Sequence, residues 1–459
     1  MTLIKSISGI RGTIGGKIGD NLTPIDLVKF ASAYATWVKS QGGKKIVIGR
    51  DARISGEMVQ NIVEGAVMAI GIDIIAIDLA TTPTVELAVV HYNADGGIIL
   101  TASHNPKQWN ALKLLDKNGE FLNAEQGAVV LETAQNDSYV FVDIDNIGKV
   151  VERSSYDERH IQEVLDLKMV DLEAVKKAKF KVVVDAVNSV GGVVIPQLLR
   201  AMGAEVVELY CTPNGEFPHN PEPLKEHLGD IMELVKKEKA DLGVVVDPDV
   251  DRLVLISETG EMFGEEYTLV AIADYILSKT KGSTVSNLSS SRALKDITER
   301  HGCTYTTAAV GEVNVVAKMK ETNAVFGGEG NGGVIYPESH YGRDALVGVA
   351  LVLSYLALSG KTMSQLRASY PHYEMSKNKI ALDASVDVEA LLDAVKKQYA
   401  SEEITDIDGV KIDFEEGWVH LRKSNTEPIV RVYSEHKTVE KAEKMAQEVI
   451  DTVNNLIKK

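Results

Sequence analysis

The chain has 459 residues, 66 of them acidic and 49 basic, for a formal charge of −17 at pH 7. That acidic excess argues against a general nucleic-acid binder, which needs a basic face, but leaves room for a local basic pocket that takes an anion. Two cysteines, Cys211 and Cys303, are too few for a disulfide framework or a zinc site, so a reducing, cytoplasmic setting is expected. A chain this long exceeds one core and predicts three or four domains of about 100–150 residues each.

The first twelve residues, MTLIKSISGIRG, lack the apolar core of a signal peptide. Thr23 and Asp26 then form a capping-box pattern with Pro24 at the first helical position. The helix that follows presents Leu27, Ala31, Tyr34 and Val38 on one face. Residues 45–83 read as strand 46–48, a polar loop, a helix ending near Gly71, and strand 72–77 closed by Thr82 and Pro83. Residues 181–213 repeat that order, ending at Thr212 and Pro213. A third, weaker copy begins at Ser283, with its helix ending near Gly302. Alternating strands and helices argue for a parallel α/β sheet in each copy. Each copy also ends on a short apolar strand running into a polar or glycine-rich loop: ADGGIILTASHNP at 94–106, ADLGVVVDPDVDR at 240–252 and NAVFGGEGNGG at 323–333. In open α/β sheets such strand ends are where ligands bind.

The apolar stretch 345–358 is too short for a bilayer and reads as a buried core helix, so no membrane partner is expected. The tail differs from the repeats. It predicts strand 379–382, helix 386–399, a hairpin at Asp408 and Gly409, strands 418–421 and 429–433 around a polar loop, and a closing helix 438–457. This is a smaller α+β domain.

Four loops carry chemistry. TASHNPKQWNALK (101–113) places Ser103 just after a strand, as a nucleophile or phosphate carrier, beside His104. On residue type alone a polar turn is the better reading. DPDVDR (247–252) offers Asp247, Asp249 and Asp251 at alternate positions, able to converge on a hard cation. An EF-hand is rejected, because its sixth position requires glycine and here is Arg252. GGEGNGG (327–333) lets backbone approach a ligand, with Glu329 and Asn331 able to bond sugar hydroxyls. RKSNTEPIVR (422–431) supplies Arg422 and Arg431 as guanidinium forks for phosphate, with Ser424, Asn425 and Thr426 as short donors. GIRG at 9–12 and GRDAR at 49–53 are two further basic loops.

Together, TASHNP, DPDVDR, GEGNGG and RKSNTEP, in this order and spacing, resemble the α-D-phosphohexomutase superfamily of phosphoglucomutases, phosphomannomutases and phosphoglucosamine mutases. The resemblance covers nearly the whole chain. It implies three tandem similar α/β domains with mixed sheets and a smaller C-terminal α+β domain around a central cleft. Their expected bounds are 1–150, 151–255, 256–370 and 371–459. It implies a phosphoserine at Ser103, with Mg²⁺ held by Asp247, Asp249, Asp251 and an oxygen at Ser103. Lys113 becomes the general acid/base, with Arg11 and His104 supporting the transferring phosphoryl group. Glu329 and Asn331 would hold the sugar. Arg422, Ser424, Asn425, Thr426 and Arg431 would hold the other phosphate. Hexose 1,6-bisphosphate becomes intermediate and activator, and a phosphosugar the substrate.

The chain departs from the common pattern in places. Asn110-Ala111-Leu112-Lys113 replaces the usual NG-x-K, and GEGNGG replaces a GEMSGH-like loop. Asn331 and Gly333 stand where serine and histidine are usual, and SHYGRDAL follows. With the VGEVNV run at 310–315, these variants point to phosphoglucosamine mutase, with phosphoglucomutase/phosphomannomutase as the alternative. The rivals outside the mutases are a Mg-dependent sugar phosphatase, disfavoured by the second-phosphate loop, and a non-catalytic sugar-phosphate sensor.

Overall fold

A computed structural model describes residues 1–6, 9–383, 386–423 and 429–457. The chain divides into two compact units, Met1–Thr268 with Gly332–Arg367, and Leu269–Asn331 with Ala368–Lys459.

The first unit opens on a seven-stranded sheet built from β1 (Ile4–Ser6), β2 (Gly9–Thr13), β3 (Lys45–Arg50), β4 (Asp73–Leu79), β5 (Gly97–Leu100), β6 (Trp109–Leu115) and β7 (Val150–Arg153). Their order is β1-β2-β6-β5-β3-β4-β7. β3 runs parallel to β4 and β5, whereas β6 lies antiparallel between β5 and β2. Helix α1 (Pro24–Ser40) starts on the expected capping box, Thr23 accepting from the Asp26 N–H and Asp26 from the Thr23 N–H. Its Leu27, Ala31 and Tyr34 are fully buried and share one core with Val59, Val63 and Val67 of α2 (Gly56–Ala69). The opposite sheet face is covered by α3 (Thr82–His91), whose Val85, Ala88 and Val89 pack on Val47, Ile75 and Ile99.

Thr82 and Pro83 therefore open a helix rather than merely closing a strand. Thr81 is the N-cap, accepting from the Thr84 N–H, and proline is tolerated in the first turn because that N–H has no helical partner.

The second sheet, also in this unit, contains β8 (Lys181–Asp185), β9 (Glu205–Leu209), β10 (Leu242–Val246) and β11 (Leu253–Ser257) in the order β11-β10-β8-β9, with only β11 antiparallel. The helix Ala345–Ser359 is buried along most of its length, as its unbroken apolar run requires. Among the described residues no helix is long and apolar enough to cross a membrane.

The second unit holds the third repeat, with β12 (Thr284–Asn287) parallel to both β13 (Tyr305–Ala308) and β14 (Phe326–Glu329). After β14 the chain returns to the first unit as β15 (Gly333–Ile335). The C-terminal sheet is antiparallel throughout, in the order β16 (Glu374–Ala381), β20 (Ile429–His436), β19 (Trp418–Lys423), β18 (Val410–Asp413), β17 (Glu403–Thr405). Helices Val388–Gln398 and Val439–Ile457 bury their apolar stripes on it. β16 starts five residues before the expected strand 379–382. Only Ile380 of its eight residues is buried, so it lacks the apolar alternation that marks a strand. Three α/β domains followed by a smaller α+β domain is the architecture the repeats predicted.

Candidate active site

Ser103 follows β5 in a tight turn. Its φ is +47°, in the left-handed region that costs a non-glycine residue about 1 kcal/mol or more. Its N–H donates to Thr101 Oγ1 at 3.0 Å, and Thr101 Oγ1 donates to Asp51 Oδ2 at 2.6 Å. Ser103 Oγ is 2.7 Å from Asp247 Oδ2, to which it donates.

Asp247, Asp249 and Asp251 follow β10 and are fully buried. One carboxylate oxygen from each lies within 4.8 Å of the others. Val250, between the last two, has φ +63°, a strained setting for a β-branched residue. Asp247 Oδ1 accepts the Arg252 N–H at 3.2 Å. Asp249 Oδ2 accepts from Thr82 Oγ1 at 2.6 Å and from Lys113 Nζ at 2.7 Å. Asp251 Oδ2 accepts from Arg343 Nη2 at 2.6 Å.

The electrostatics expose a shortage of positive charge. Burial, then the charges of Asp251 and Asp249, push the Asp247 carboxyl well above the usual range. For Asp249, burial acts upward but is outweighed by the Lys113 ammonium, which holds the carboxyl low. Burial likewise works against the Lys113 charge, yet Asp249 and Asp251 more than offset it and raise its pKa. Asp249 Oδ1 and Asp251 Oδ1 are buried and make no hydrogen bond. A buried acceptor without a donor is costly. Three convergent carboxylates with two such oxygens fit a hard divalent cation.

His104 Nδ1 accepts from Arg252 Nη2 at 2.8 Å and lies 3.4 Å from Ser103 Oγ. Burial, then the charge of Arg252, push the imidazole down to about 2. It is neutral, and with Nδ1 accepting from a guanidinium its proton is on Nε2. His104 is therefore a hydrogen-bond donor at Nε2 and not the base that activates Ser103.

Lys113 is in the middle of β6 and not at the end of the serine loop. Arg11 on β2 pairs with Ala111 of β6. Because side chains alternate along a strand, Arg11 and Lys113 share one sheet face.

In the second unit, Glu329 ends β14 and is 5% exposed. The segment expected to be a glycine loop is thus half strand. Glu329 Oε1 accepts from Asn287 Nδ2 at 2.9 Å and from the Gly311 N–H at 3.0 Å. Asn331, two residues on, is half-buried. Arg422 of β19 and Arg431 of β20 are direct cross-strand partners on one sheet face, and Arg422 Nη1 lies 3.5 Å from Asp408 Oδ2. Like charges placed opposite repel, and an anion between them removes that cost. Ser424, Asn425 and Thr426 lie outside the described residues.

Sequence reasoning did not assign Thr82, Arg252 and Arg343, which touch the acidic loop, nor Arg53, which holds the serine loop. Arg53, Arg252 and Arg343 lie in the quoted segments GRDAR, DPDVDR and SHYGRDAL. Thr82 carries no local signal.

Family models described as phosphoglucomutase/phosphomannomutase alpha/beta/alpha domains I, II and III match residues 3–140, 158–260 and 264–373, and the C-terminal domain model matches 378–452. The chain belongs to the phosphoglucomutase/phosphomannomutase family. It is thereby a phosphohexomutase, an isomerase that moves a phosphoryl group. Among this family's members, a phosphoglucomutase/phosphomannomutase of Thermococcus kodakarensis is 38% identical over 94% of this chain and 95% of its own. A phosphoglucosamine/phosphogalactosamine mutase of Sulfurisphaera tokodaii is 31% identical, covering 96% and 97%. A crystal structure of a family member from Burkholderia thailandensis superimposes with a TM-score of 0.85 at 25% identity, covering 99% of this chain and 98% of that one.

Proposed function

We propose that the chain interconverts hexose 1-phosphate and hexose 6-phosphate, with Ser103 as phosphoryl carrier and hexose 1,6-bisphosphate as intermediate. The observation that carries this is the hydrogen bond from Ser103 Oγ to Asp247, inside a cluster of three buried carboxylates neutralised in part by Lys113. Phosphoserine at Ser103 donates its phosphoryl group to the free hydroxyl of a bound monophosphate. The P–O bond to serine breaks and one to the sugar forms, giving the bisphosphate. As the bond to serine breaks, the Lys113 ammonium gives a proton to Ser103 Oγ, and the amine it becomes takes up the proton of the sugar hydroxyl. The bisphosphate then turns round, and its other phosphoryl group returns to Ser103, releasing the isomer.

Asp247, Asp249 and Asp251 would hold Mg²⁺ together with an oxygen of the Ser103 phosphoryl. The ion would supply Lewis-acid withdrawal of charge from the transferring group. Phosphoryl transfer depends mainly on position and charge. Arg11, Lys113 and the Nε2–H of His104 are assigned to the phosphoryl oxygens. Glu329 and Asn331 are assigned to the sugar hydroxyls. Arg422 and Arg431, with Ser424, Asn425 and Thr426, are assigned to the phosphate that stays on the sugar. The free thiols Cys211 and Cys303 suit a reducing cytoplasm.

For the sugar, the GEGNGG loop and SHYGRDAL run favour glucosamine phosphate. A second reading, glucose and mannose phosphates, is favoured by the relative at 38% identity, which carries that name. The test is turnover of the Mg²⁺-loaded protein on glucosamine 6-phosphate, glucose 1-phosphate and mannose 1-phosphate, each with its 1,6-bisphosphate. Isomerisation without net phosphate release is expected, and the highest kcat/KM names the substrate. Release of inorganic phosphate as the main product would replace the mutase with a phosphatase. No turnover by the Ser103-phosphorylated protein would point to a sensor.

A further inference from the structure

Arg53 lies 50 residues before Ser103, yet every donor on its side chain is spent on the serine loop or on the turn that faces it. Its side chain and that of Asp51 are fully buried and paired at 3.0 Å through Nε. Nη1 donates to the carbonyls of Pro106 at 2.8 Å and Trp109 at 2.9 Å. Nη2 donates to the carbonyls of Asn105 at 2.7 Å and of Ser103 itself. A guanidinium has five N–H donors in a rigid plane, and here all five are accounted for. Asp51 takes the remaining lever. It accepts from Thr101 Oγ1, which in turn holds the Ser103 N–H. The backbone of Ser103 is thus gripped on both sides, at N–H through Thr101 and Asp51, at C=O by Arg53.

The same turn reaches the acidic loop. The Ala52 N–H donates to Ser189 Oγ at 3.4 Å, and Ser189 Oγ donates to the Pro248 carbonyl at 2.7 Å. One three-residue turn therefore bonds both to the loop bearing the nucleophile and, through one hydroxyl, to the loop bearing the carboxylates. Burying an arginine carries a large desolvation cost, offset only when its hydrogen bonds are complete. Ser103 meanwhile adopts a left-handed backbone that it would leave without support.

We infer that Arg53, with Asp51 and Thr101, is a positioning residue for phosphoryl transfer, fixing the left-handed turn that aims Ser103 Oγ at the acidic loop. The inference rests on Ser103 being the phosphoryl carrier, as proposed above. Arg53 is 1% exposed with its donors bonded inside the protein, so it acts through the serine loop and not on the substrate. Its effect is on the geometry of attack, where small misplacements cost orders of magnitude in rate. It should therefore lower kcat and leave the grip on the sugar phosphate intact.

The experiment compares the wild type with Arg53→Lys, which keeps the charge but loses the planar fork, and with Thr101→Val, which keeps the size but removes the acceptor for the Ser103 N–H. Each full-length protein is loaded with Mg²⁺ and mixed with glucose 1,6-bisphosphate. The rate of phosphoryl arrival on Ser103 is followed by intact mass, alongside steady-state kcat and KM and the melting temperature. Arg53→Lys should slow the Ser103 step and kcat by about 100-fold, with KM within about 2-fold. Thr101→Val should slow both by about 10-fold with a near-normal melting temperature. A folded Arg53→Lys that phosphorylates Ser103 at the wild-type rate overturns the inference. So does a rise in KM that accounts for the whole loss. Where Arg53→Lys does not fold, Thr101→Val decides by the same criteria. Wild type that takes no phosphoryl group on Ser103 would overturn the carrier assignment, and this inference with it.

Discussion

The proposed chemistry centre of the first unit and the proposed phosphate-holding residues of the second are built differently. Around Ser103, Asp247, Asp249 and Asp251, the side chains are buried and bonded to neighbouring loops, while Asp249 Oδ1 and Asp251 Oδ1 make no hydrogen bond, and the backbone is strained at Ser103 and Val250. Arg422 and Arg431 are half-buried cross-strand neighbours, Arg422 ion-paired at 3.5 Å with Asp408 and Arg431 Nη1 3.5 Å from the Tyr433 hydroxyl. Under the proposed function, the first region fixes the reacting atom before substrate arrives, as preorganised electrostatic stabilisation requires. In the second, two arginines on one sheet face suit the phosphate proposed to bind there. A mutase needs both, because one phosphoryl acceptor must serve two ends of the same sugar while the other phosphate is merely held.

The sharpest way to break this comparison is Ser103→Ala. It should lower turnover by about 10⁴-fold or more, with sugar-phosphate binding retained. Turnover close to normal would remove Ser103 from the chemistry. Next is Asp249→Asn, expected to cost roughly 10²–10³-fold in kcat. Isothermal titration should show weaker Mg²⁺ binding in step with it. Chelation of the wild type should abolish activity reversibly, and full activity in a metal-free preparation would contradict the fit of the acidic cluster to a cation. A smaller, different signature is expected from Arg431→Ala. KM should rise roughly 10–100-fold, about 1.4–2.7 kcal/mol, with a lesser change in kcat. The ligand-free melting temperature should hold or rise, since a like-charge pair is gone. A fall in kcat alone would place Arg431 with the first region.

How much of this was readable in the sequence depends on the range of the forces involved. Strands with unbroken apolar runs, such as β3, β8 and β10, and the box at Thr23 and Asp26 are local signals, and they were read within a few residues. The solvated edge strand β16 has no such run and was half missed. Thr82 and Pro83 look like a turn locally, and only the capping hydroxyl of Thr81 makes them a helix start. The acidic loop stood out by its three acids at alternate positions, whereas the serine loop reads as a polar turn by residue type and stood out only through the resemblance that the four motifs carry together. Arg53 was noticed as part of a basic loop, yet arginine by type reads as surface, whereas this one is 1% exposed. Its partners lie about fifty residues away in sequence, and no local pattern records such a contact. The same holds for Arg343, which meets Asp251 across 92 residues.

The smallest expected effect concerns stability behind the acidic loop. His340 lies at ion-pair distance, 3.2 Å, from both Glu86 and Asp344. Burial alone would lower its pKa, but Asp344 and Glu86 outweigh it and push it up from 6.5 to about 10. A group whose folded pKa is raised stabilises the fold fully below its unfolded value, and that contribution is lost as pH rises through the folded one. The melting temperature of wild type should therefore exceed that of His340→Gln most below pH 6.5, and the gap should shrink as pH approaches about 10. A gap that is constant with pH would mean His340 contributes packing and not charge.

The most direct test of the central claim is a single-turnover chase. Protein carrying an isotopically labelled phosphoryl group is mapped by peptide mass, then mixed with unlabelled hexose 1-phosphate. The account predicts label on Ser103 at the start, and on the hexose bisphosphate and then the 6-phosphate afterwards, with none released as inorganic phosphate. Label on another residue, or label lost to water, would contradict it.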